Sequence, residues 1–288
     1  MLKDKVSLFI PEVCPVVISS TAINAYKTTA DRSSKLPGYG LSSPTKSTSR
    51  SAVGAALLEA SHSIFPDRPI ILGGHDRGAR MCHRLAISHV NPPKDTAELH
   101  SYKLLGTVLL DIVPTLVQWQ SFSNPVASAT YFHWPFLTSP VAVDMIDAWG
   151  GDKWCHNSLD RVCGDNSAGR KACQSDDAWS VYESQFKKRE CIEGSCADYV
   201  DGMNPEPQEQ EKDQKAGRKI DVPTLVMWSL GKLGKMHGDV EGIWKQWVKD
   251  GVDLRAQGCG EDVGHYLPEE AHEVVGKAII KLLDEISS

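Results

Sequence analysis

Hydrophobic positions along the chain follow two spacings. Pro69-Ile70-Ile71-Leu72-Gly73, Leu104-Leu105-Gly106-Thr107-Val108-Leu109-Leu110 and Val222-Pro223-Thr224-Leu225-Val226-Met227-Trp228 are short, nearly unbroken apolar runs, the pattern of parallel strands covered on both faces. Elsewhere the spacing changes to threes and fours. Ala79, Cys82, Leu85, Ala86 and Val90 make one helical stripe; Ala271, Val274, Val275, Ala278, Ile279, Leu282, Leu283 and Ile286 make another. The pattern also predicts a helix from Ser51 to Phe65, with Val53, Ala56, Leu57 and Ile64 on its buried side. Another runs from Asp239 to Lys249, before a short strand at Val252 to Gln257. Near the N-terminus, Lys5 to Ile10 and Val16 to Ser19 read as strands. Thr28 to Arg50 reads as loop, with a turn at Pro37-Gly38-Tyr39-Gly40-Leu41-Ser42.

The strand–helix rhythm stops between Pro114 and about Gly217. This stretch holds Trp119, Phe122, Tyr131, Phe132, Trp134, Phe136, Trp149, Trp154, Trp179, Tyr182, Phe186 and Tyr199. A helical lid that packs on a core and lines an apolar cavity has that composition. Within it, Asp160 to Asp177 reads as a polar loop and Glu206 to Lys219 as a charged segment returning to the core. The expected division is a first core part at 1–113, a cap at 114–216 and a second core part at 217–288. The fold class is α/β, a mostly parallel sheet flanked by helices.

Composition narrows the partners. A net charge of −6 without a basic block argues against nucleic acid and against an anionic membrane surface. Pro11, Glu12 and Pro15 interrupt the first apolar stretch, so neither a secretory leader nor a membrane span is expected and the cytoplasm is the expected location. Cys14, Cys82, Cys155, Cys163, Cys173, Cys191, Cys196 and Cys259 contain no Cys-x-x-Cys pair, so neither a zinc site nor a redox motif is expected. They read as free buried thiols, or as forming a disulfide or two in the lid if the protein is exported. No metal or organic cofactor is implied.

The chemistry concentrates at Gly74-His75-Asp76-Arg77-Gly78, between a strand and a helix. Small residues two before and two after a central side chain mark a nucleophile elbow, a turn so sharp that only glycine avoids a clash. The central residue is Asp76, and a carboxylate attacks an sp³ carbon without prior deprotonation, leaving an ester for water to hydrolyse. Such chemistry suits carbon–halogen bonds and epoxides. Arg77 and Arg80, with the amides of the helix start, make a site for an anion such as a small carboxylic acid. Asp111 follows a buried strand, and His265 follows the last one; strand ends of an α/β sheet gather the chemistry, and an acid there can orient a histidine. His75, His83, His89 and His237 read as structural.

Asp, then acid, then a late histidine is the chain order of the α/β-hydrolase fold. The chain resembles fluoroacetate (haloacetate) dehalogenases, in the branch of that fold shared with epoxide hydrolases. The resemblance runs from about Leu36 to the C-terminus. It rests on Gly74-His75-Asp76-Arg77-Gly78-Ala79-Arg80, Leu110-Asp111-Ile112-Val113-Pro114-Thr115, Tyr131-Phe132-His133-Trp134-Pro135-Phe136, Cys196-Ala197-Asp198-Tyr199 and Gly264-His265-Tyr266-Leu267-Pro268-Glu269-Glu270. It implies that Asp76 attacks the carbon bearing the halogen, that Arg77 and Arg80 hold the substrate carboxylate, and that His265, oriented by Asp111, activates water. His133, Trp134 and Tyr199 correspond to a halide pocket. A homodimer is the habit of the family.

The resemblance has two departures, one of them the Cys-rich insertion of the lid around 155–177. The fold normally carries a His-Gly type turn ahead of the elbow, whose N–H completes the oxyanion hole. No such turn is legible in residues 1–35, so the first strands are expected to be shortened or atypical, with the N–H of Arg77 the one legible donor. The alternatives are therefore an epoxide hydrolase using the same Asp76 and His265, with Tyr199 and Tyr182 or Tyr131 as acids, and a hydrolase-like binding protein without turnover.

Overall fold

The computed structural model describes residues 6–10, 30–33, 47–66 and 68–286. Among them, six strands form one parallel sheet: β1 (Val6–Ile10), β2 (Ala30–Ser33), β3 (Ile70–His75), β4 (Leu104–Leu110), β5 (Thr224–Ser229) and β6 (Leu254–Cys259). Their order in space is β2-β1-β3-β4-β5-β6, every neighbour parallel. The chain moves outward from β1 to β2, then returns to place β3 on the other side of β1. That reversal is a topological switch point, where the carboxyl ends of strands open onto a crevice.

β3 and β5 are buried at every position, which is why their sequences read as continuous apolar runs. Side chains alternate across the sheet: Ile70 and Leu72 join one apolar cluster, and Ile71 joins another. β6 is an edge, only partly buried. Its Arg255 pairs with Asp253 and Glu285, a charged guard against edge pairing.

Two helices flank the elbow. α1 (Arg50–Ile64) begins at Ser49, whose Oγ accepts from the Ala52 N–H, and α2 (Arg77–Val90) follows β3. The buried side of α1 is Arg50, Val53, Gly54, Leu58 and Ser61; of the other expected residues Leu57 packs half-buried against the same core, whereas Ala56 and Ile64 are exposed. Gly54 sets that face: a Cβ there would stand 2.7 Å from Leu85 Cδ2, so only glycine lets α1 approach α2.

Between β4 and β5 the chain is helical from Thr115 to Lys215, with no strand among these residues. The elements used below are α3 (His133–Leu137), α4 (Gly151–Val162), α5 (Ser167–Cys173), α6 (Arg189–Met203) and α7 (Glu206–Lys215). This cap has its own core, in which Leu159, Trp179, Tyr182, Phe186 and Ile192 pack with Cys155, Cys163, Cys173, Cys191 and Cys196. The seven cysteines of the described residues are all buried.

Several expected elements are corrected. Asp160 to Asp177 is not one loop: α4 runs into it, and α5 starts where the Asn166 side chain accepts from the Gly169 N–H. Glu206 to Lys219 contains α7, which buries Glu206, Gln210 and Asp213. β2 and the start of α1 lie inside the presumed loop at 28–50. The helix expected to reach Lys249 is α8 (Val240–Lys245); beyond it Val248 bridges to Ile220. The last stripe forms α9 (His272–Glu285), burying Val275, Ile279, Leu282 and Leu283. Val16 to Ser19, the turn at Pro37 to Ser42, Cys14 and, apart from β1 and β2, residues 1–35, where the oxyanion turn was sought, lie outside the described residues. No helix among the described residues is long and apolar enough to cross a membrane.

Candidate active site

Asp76 is the corner between β3 and α2, with φ 41° and ψ −111°. A side chain tolerates that backbone only under constraint, and the constraint is visible. Asp76 N–H donates to Leu110 O at 3.1 Å, and Asp76 O accepts from Arg80 N–H at 2.9 Å. A Cβ on Gly74 would lie 2.4 Å from the Gly78 carbonyl carbon, so the first turn of α2 sits directly on the end of β3.

Asp111 closes β4 next door, also at positive φ (52°). Its N–H donates to Met227 O at 2.8 Å. Ser229, at the end of β5, gives both its N–H (2.7 Å) and its hydroxyl (2.9 Å) to Asp111 Oδ1. The other oxygen lies 2.5 Å from His265 Nδ1. A carboxylate only accepts, so Nδ1 carries a proton. Nε2 lies on the side of Asp76, 3.8 Å from Asp76 Oδ2.

The loop after β6 is tied down on both faces of its histidine. His265 N–H donates to Val162 O at the end of α4 at 2.9 Å, and the buried His75 donates Nε2–H to His265 O at 2.7 Å. His75 is therefore structural in a particular sense: it holds the backbone that carries the imidazole.

Charge is arranged to keep Asp76 ionised. Burial opposes the carboxylate, but the neighbouring His265, with the charges of Arg80 and Arg77, outweighs it and holds the group well below the usual aspartate value. Arg80 Nε stands 3.7 Å from Asp76 Oδ1, while Arg80 Nη1 donates to Val113 O (3.0 Å) and Thr115 Oγ1 (3.1 Å). Arg77 is 1% exposed; its Nε and Nη2 donate to Asp198 Oδ2 (2.5 Å) and Asp198 O (2.8 Å). Asp198 also accepts from the buried Arg50. Arg50 Nε lies 3.3 Å from Glu206, which accepts from Thr115 Oγ1 at 2.5 Å. This network joins α1, the elbow and the cap.

Above the elbow is a cavity of about 410 Å³. Its wall includes Asp76, Arg77, Arg80, Asp111 and His265 from the core and Tyr131, His133, Trp134 and Tyr199 from the cap. All eight sequence-nominated residues thus meet at one cavity. Tyr199 and Trp134 carry the arginines on their faces, with Arg77 Cζ 4.3 Å from the Tyr199 ring centre and Arg80 Cζ 4.6 Å from that of Trp134. Tyr182 is buried in the cap core and absent from the cavity wall, which removes it as an acid. Tyr131 remains: burial, then the charge of Asp111, push its phenol upward, so it stays protonated.

Sequence reasoning missed Asp198, Ser229, Glu206 and Arg161, which also lines the cavity. Asp198 had a signal, its place beside Tyr199; Ser229 and Arg161 had none. The described residues that best gather metal-ligating atoms are Cys163, Cys173 and Glu270, within 4.8 Å of one another and outside the cavity wall. Both Glu270 oxygens already accept backbone N–H groups, from Gly164, Gly264 and Tyr266, which meets the needs of that carboxylate without a cation.

These features have counterparts among solved structures. An α/β hydrolase candidate from Nostoc sp PCC 7120 superposes with a TM-score of 0.80 at 26% identity, covering 97% of this chain and 90% of that one. The chain has the α/β-hydrolase fold. A candidate epoxide hydrolase from Pseudomonas aeruginosa, a variant with MFA bound, gives a TM-score of 0.79 at 23% identity over 99% of this chain and 90% of that one, a likeness of fold. A fluoroacetate dehalogenase from Burkholderia sp is 29% identical over 176 residues, 60% of this chain and 51% of the relative. The chain thus spans about half the length of the curated relative it matches. No family model matches. Its neighbours within the fold include a dehalogenase and epoxide hydrolases.

Proposed function

We propose that this α/β-hydrolase-fold chain cleaves the carbon–halogen bond of a small 2-haloacid through an ester on Asp76. One observation carries the reading: a buried carboxylate held ionised at the elbow, 3.8 Å from an imidazole nitrogen whose partner nitrogen is bonded to Asp111.

An Asp76 oxygen attacks the carbon, and the carbon–halogen electron pair leaves with the halide. His133, Trp134 and Tyr199 supply N–H and O–H donors for that ion. Arg77 and Arg80 bring positive charge to the substrate carboxylate. His265 Nε2 then takes a proton from water as the hydroxide adds to the ester carbonyl of Asp76. Collapse breaks the bond to the substrate oxygen, which receives the proton from the imidazolium, and the 2-hydroxyacid departs. Asp76 loses its proton again, so the sum is haloacid plus water to hydroxyacid, halide and a proton.

A second reading is favoured by Tyr131 and Tyr199, both on the cavity wall: as acids they would protonate an epoxide oxygen while the same Asp76 attacks. Halide release from fluoroacetate and chloroacetate by wild type beside Asp76→Ala tests the first. Release that disappears in the variant is the expected result. Turnover of styrene oxide with none of the haloacids selects the second, and no turnover of either leaves a binding protein.

A further inference from the structure

Arg161, an exposed residue, is a neighbour of His133, one of the proposed halide donors. It stands in the last turn of α4, and its guanidinium is held from three sides. Nη1 donates to Thr130 O at 2.8 Å, Nη2 lies 3.0 Å from His133 Nδ1, and Cζ stands 5.3 Å from the centre of the Phe132 ring. A guanidinium has donors only. His133 Nδ1 therefore accepts, and the ring proton of the neutral imidazole sits on Nε2.

We propose that Arg161 is a positioning residue, which locks His133 in the Nε2–H tautomer so that the imidazole offers the departing anion a donor instead of a lone pair. The proposal rests on the dehalogenase reading. The other tautomer would turn a lone pair toward a developing negative charge, where a donor acts in the transition state.

The groups around His133 fit one protonation state. Arg161 faces it from α4, Asp76 and Arg77 from the elbow, and His265 from the loop after β6. The rings of Tyr131 and Tyr199 stand 6.3 Å and 5.8 Å away. Burial, followed by the Arg161 charge, pushes the imidazole down to about 3, against the opposing pull of Asp76. From pH 5 to 8 His133 is neutral, and Arg161 selects which neutral form.

The test reads the tautomer directly. Long-range proton–nitrogen correlation spectra of ¹⁵N-histidine protein, with His133→Gln assigning the signal, should show an Nε2–H ring that does not titrate between pH 5 and 8. In Arg161→Leu the pattern should become a tautomer mixture with a titration entering that range, and Arg161→Lys, which keeps a donor, should restore it. In parallel, kcat on fluoroacetate should fall about tenfold in Arg161→Leu with little change in KM, less than the loss of a donor outright, and recover in Arg161→Lys. A His133 spectrum unchanged in a folded Arg161→Leu overturns the proposal even if halide is released. A changed tautomer in a protein that releases no halide keeps the lock and overturns the dehalogenase reading. If Arg161→Leu does not fold, Arg161→Lys decides: loss of the Nε2–H form there counts against the lock.

Discussion

Arg77 donates its Nε–H to Asp198 at 2.5 Å, so the cation beside the elbow is anchored in the cap. Asp198 also serves Arg50, and all three side chains are buried. Asp198→Asn leaves two buried guanidiniums facing a neutral amide. Removing one partner of such a group costs about 3–5 kcal/mol, and thermal unfolding should show a loss of that order. A Tm unchanged within a degree would mean that solvent reaches this network.

The same carboxylate gives stability a pH dependence. Burial raises Asp198, but the charges and hydrogen bonds of Arg50 and Arg77 win and hold it below its usual value. A group with a depressed folded pKa contributes fully above its unfolded value, about 3.9, and loses the contribution as pH falls from there toward the folded value. Urea titrations should therefore find the gap between wild type and Asp198→Asn wide at pH 6 and narrower at pH 3. A gap that is constant or widens in acid contradicts the assignment.

His265→Asn removes the base proposed for the second half-reaction while leaving Asp76 able to attack. Mass spectrometry of the variant after incubation with chloroacetate should show an adduct equal to the substrate less its halogen, and peptide mapping should find it on Asp76. An adduct elsewhere, or none while wild type still releases halide, rules out an aspartyl ester.

His75→Phe tests the hold on the imidazole loop. Phenylalanine keeps a buried ring but loses the 2.7 Å bond to His265 O, a carbonyl that still accepts from the Leu267 N–H, at a cost of about 0.5–1.5 kcal/mol. Turnover should fall more than stability accounts for, with kcat reduced at temperatures where circular dichroism shows the variant fully folded. Equal kcat in both proteins would make His75 packing only.

The sheet and the elbow were legible because their signals are local. Gly74, Asp76 and Gly78 announce a turn within five residues, and strands buried on both faces leave unbroken runs such as Leu104–Leu110. The helical stretch between β4 and β5 was legible from the lost rhythm and its aromatics but not helix by helix, since its short helices bury cysteines and isolated aromatics around a separate core. Glu206 and Asp213 misled because charge reads as solvent exposure; their partners Thr115 and Arg84 come from distant parts of the chain. Arg161 was invisible for a similar reason: its role depends on a ring nitrogen 28 positions away. β1 showed in the apolar run before Ile10, whereas β2, Ala-Asp-Arg-Ser, has no strand pattern of its own and exists through its pairing with β1.

Gly74→Ala should be far more damaging than its one methyl suggests. The added Cβ would meet the Gly78 carbonyl carbon at 2.4 Å and the Ala79 nitrogen at 2.5 Å, both backbone atoms of the first turn of α2. Neither can swing aside as a side chain would. Relief requires lifting α2 off β3, which also moves Asp76 away from Leu110 O and His265. Gly217 provides the control, because it has φ 66° and nothing within 4 Å of an added Cβ, so alanine there costs only the left-handed backbone, about 1 kcal/mol. Gly74→Ala should cost at least about 3 kcal/mol by overpacking and strain. Chemical unfolding of the two variants side by side reads the difference, and equal losses would show that the elbow has room the geometry denies it.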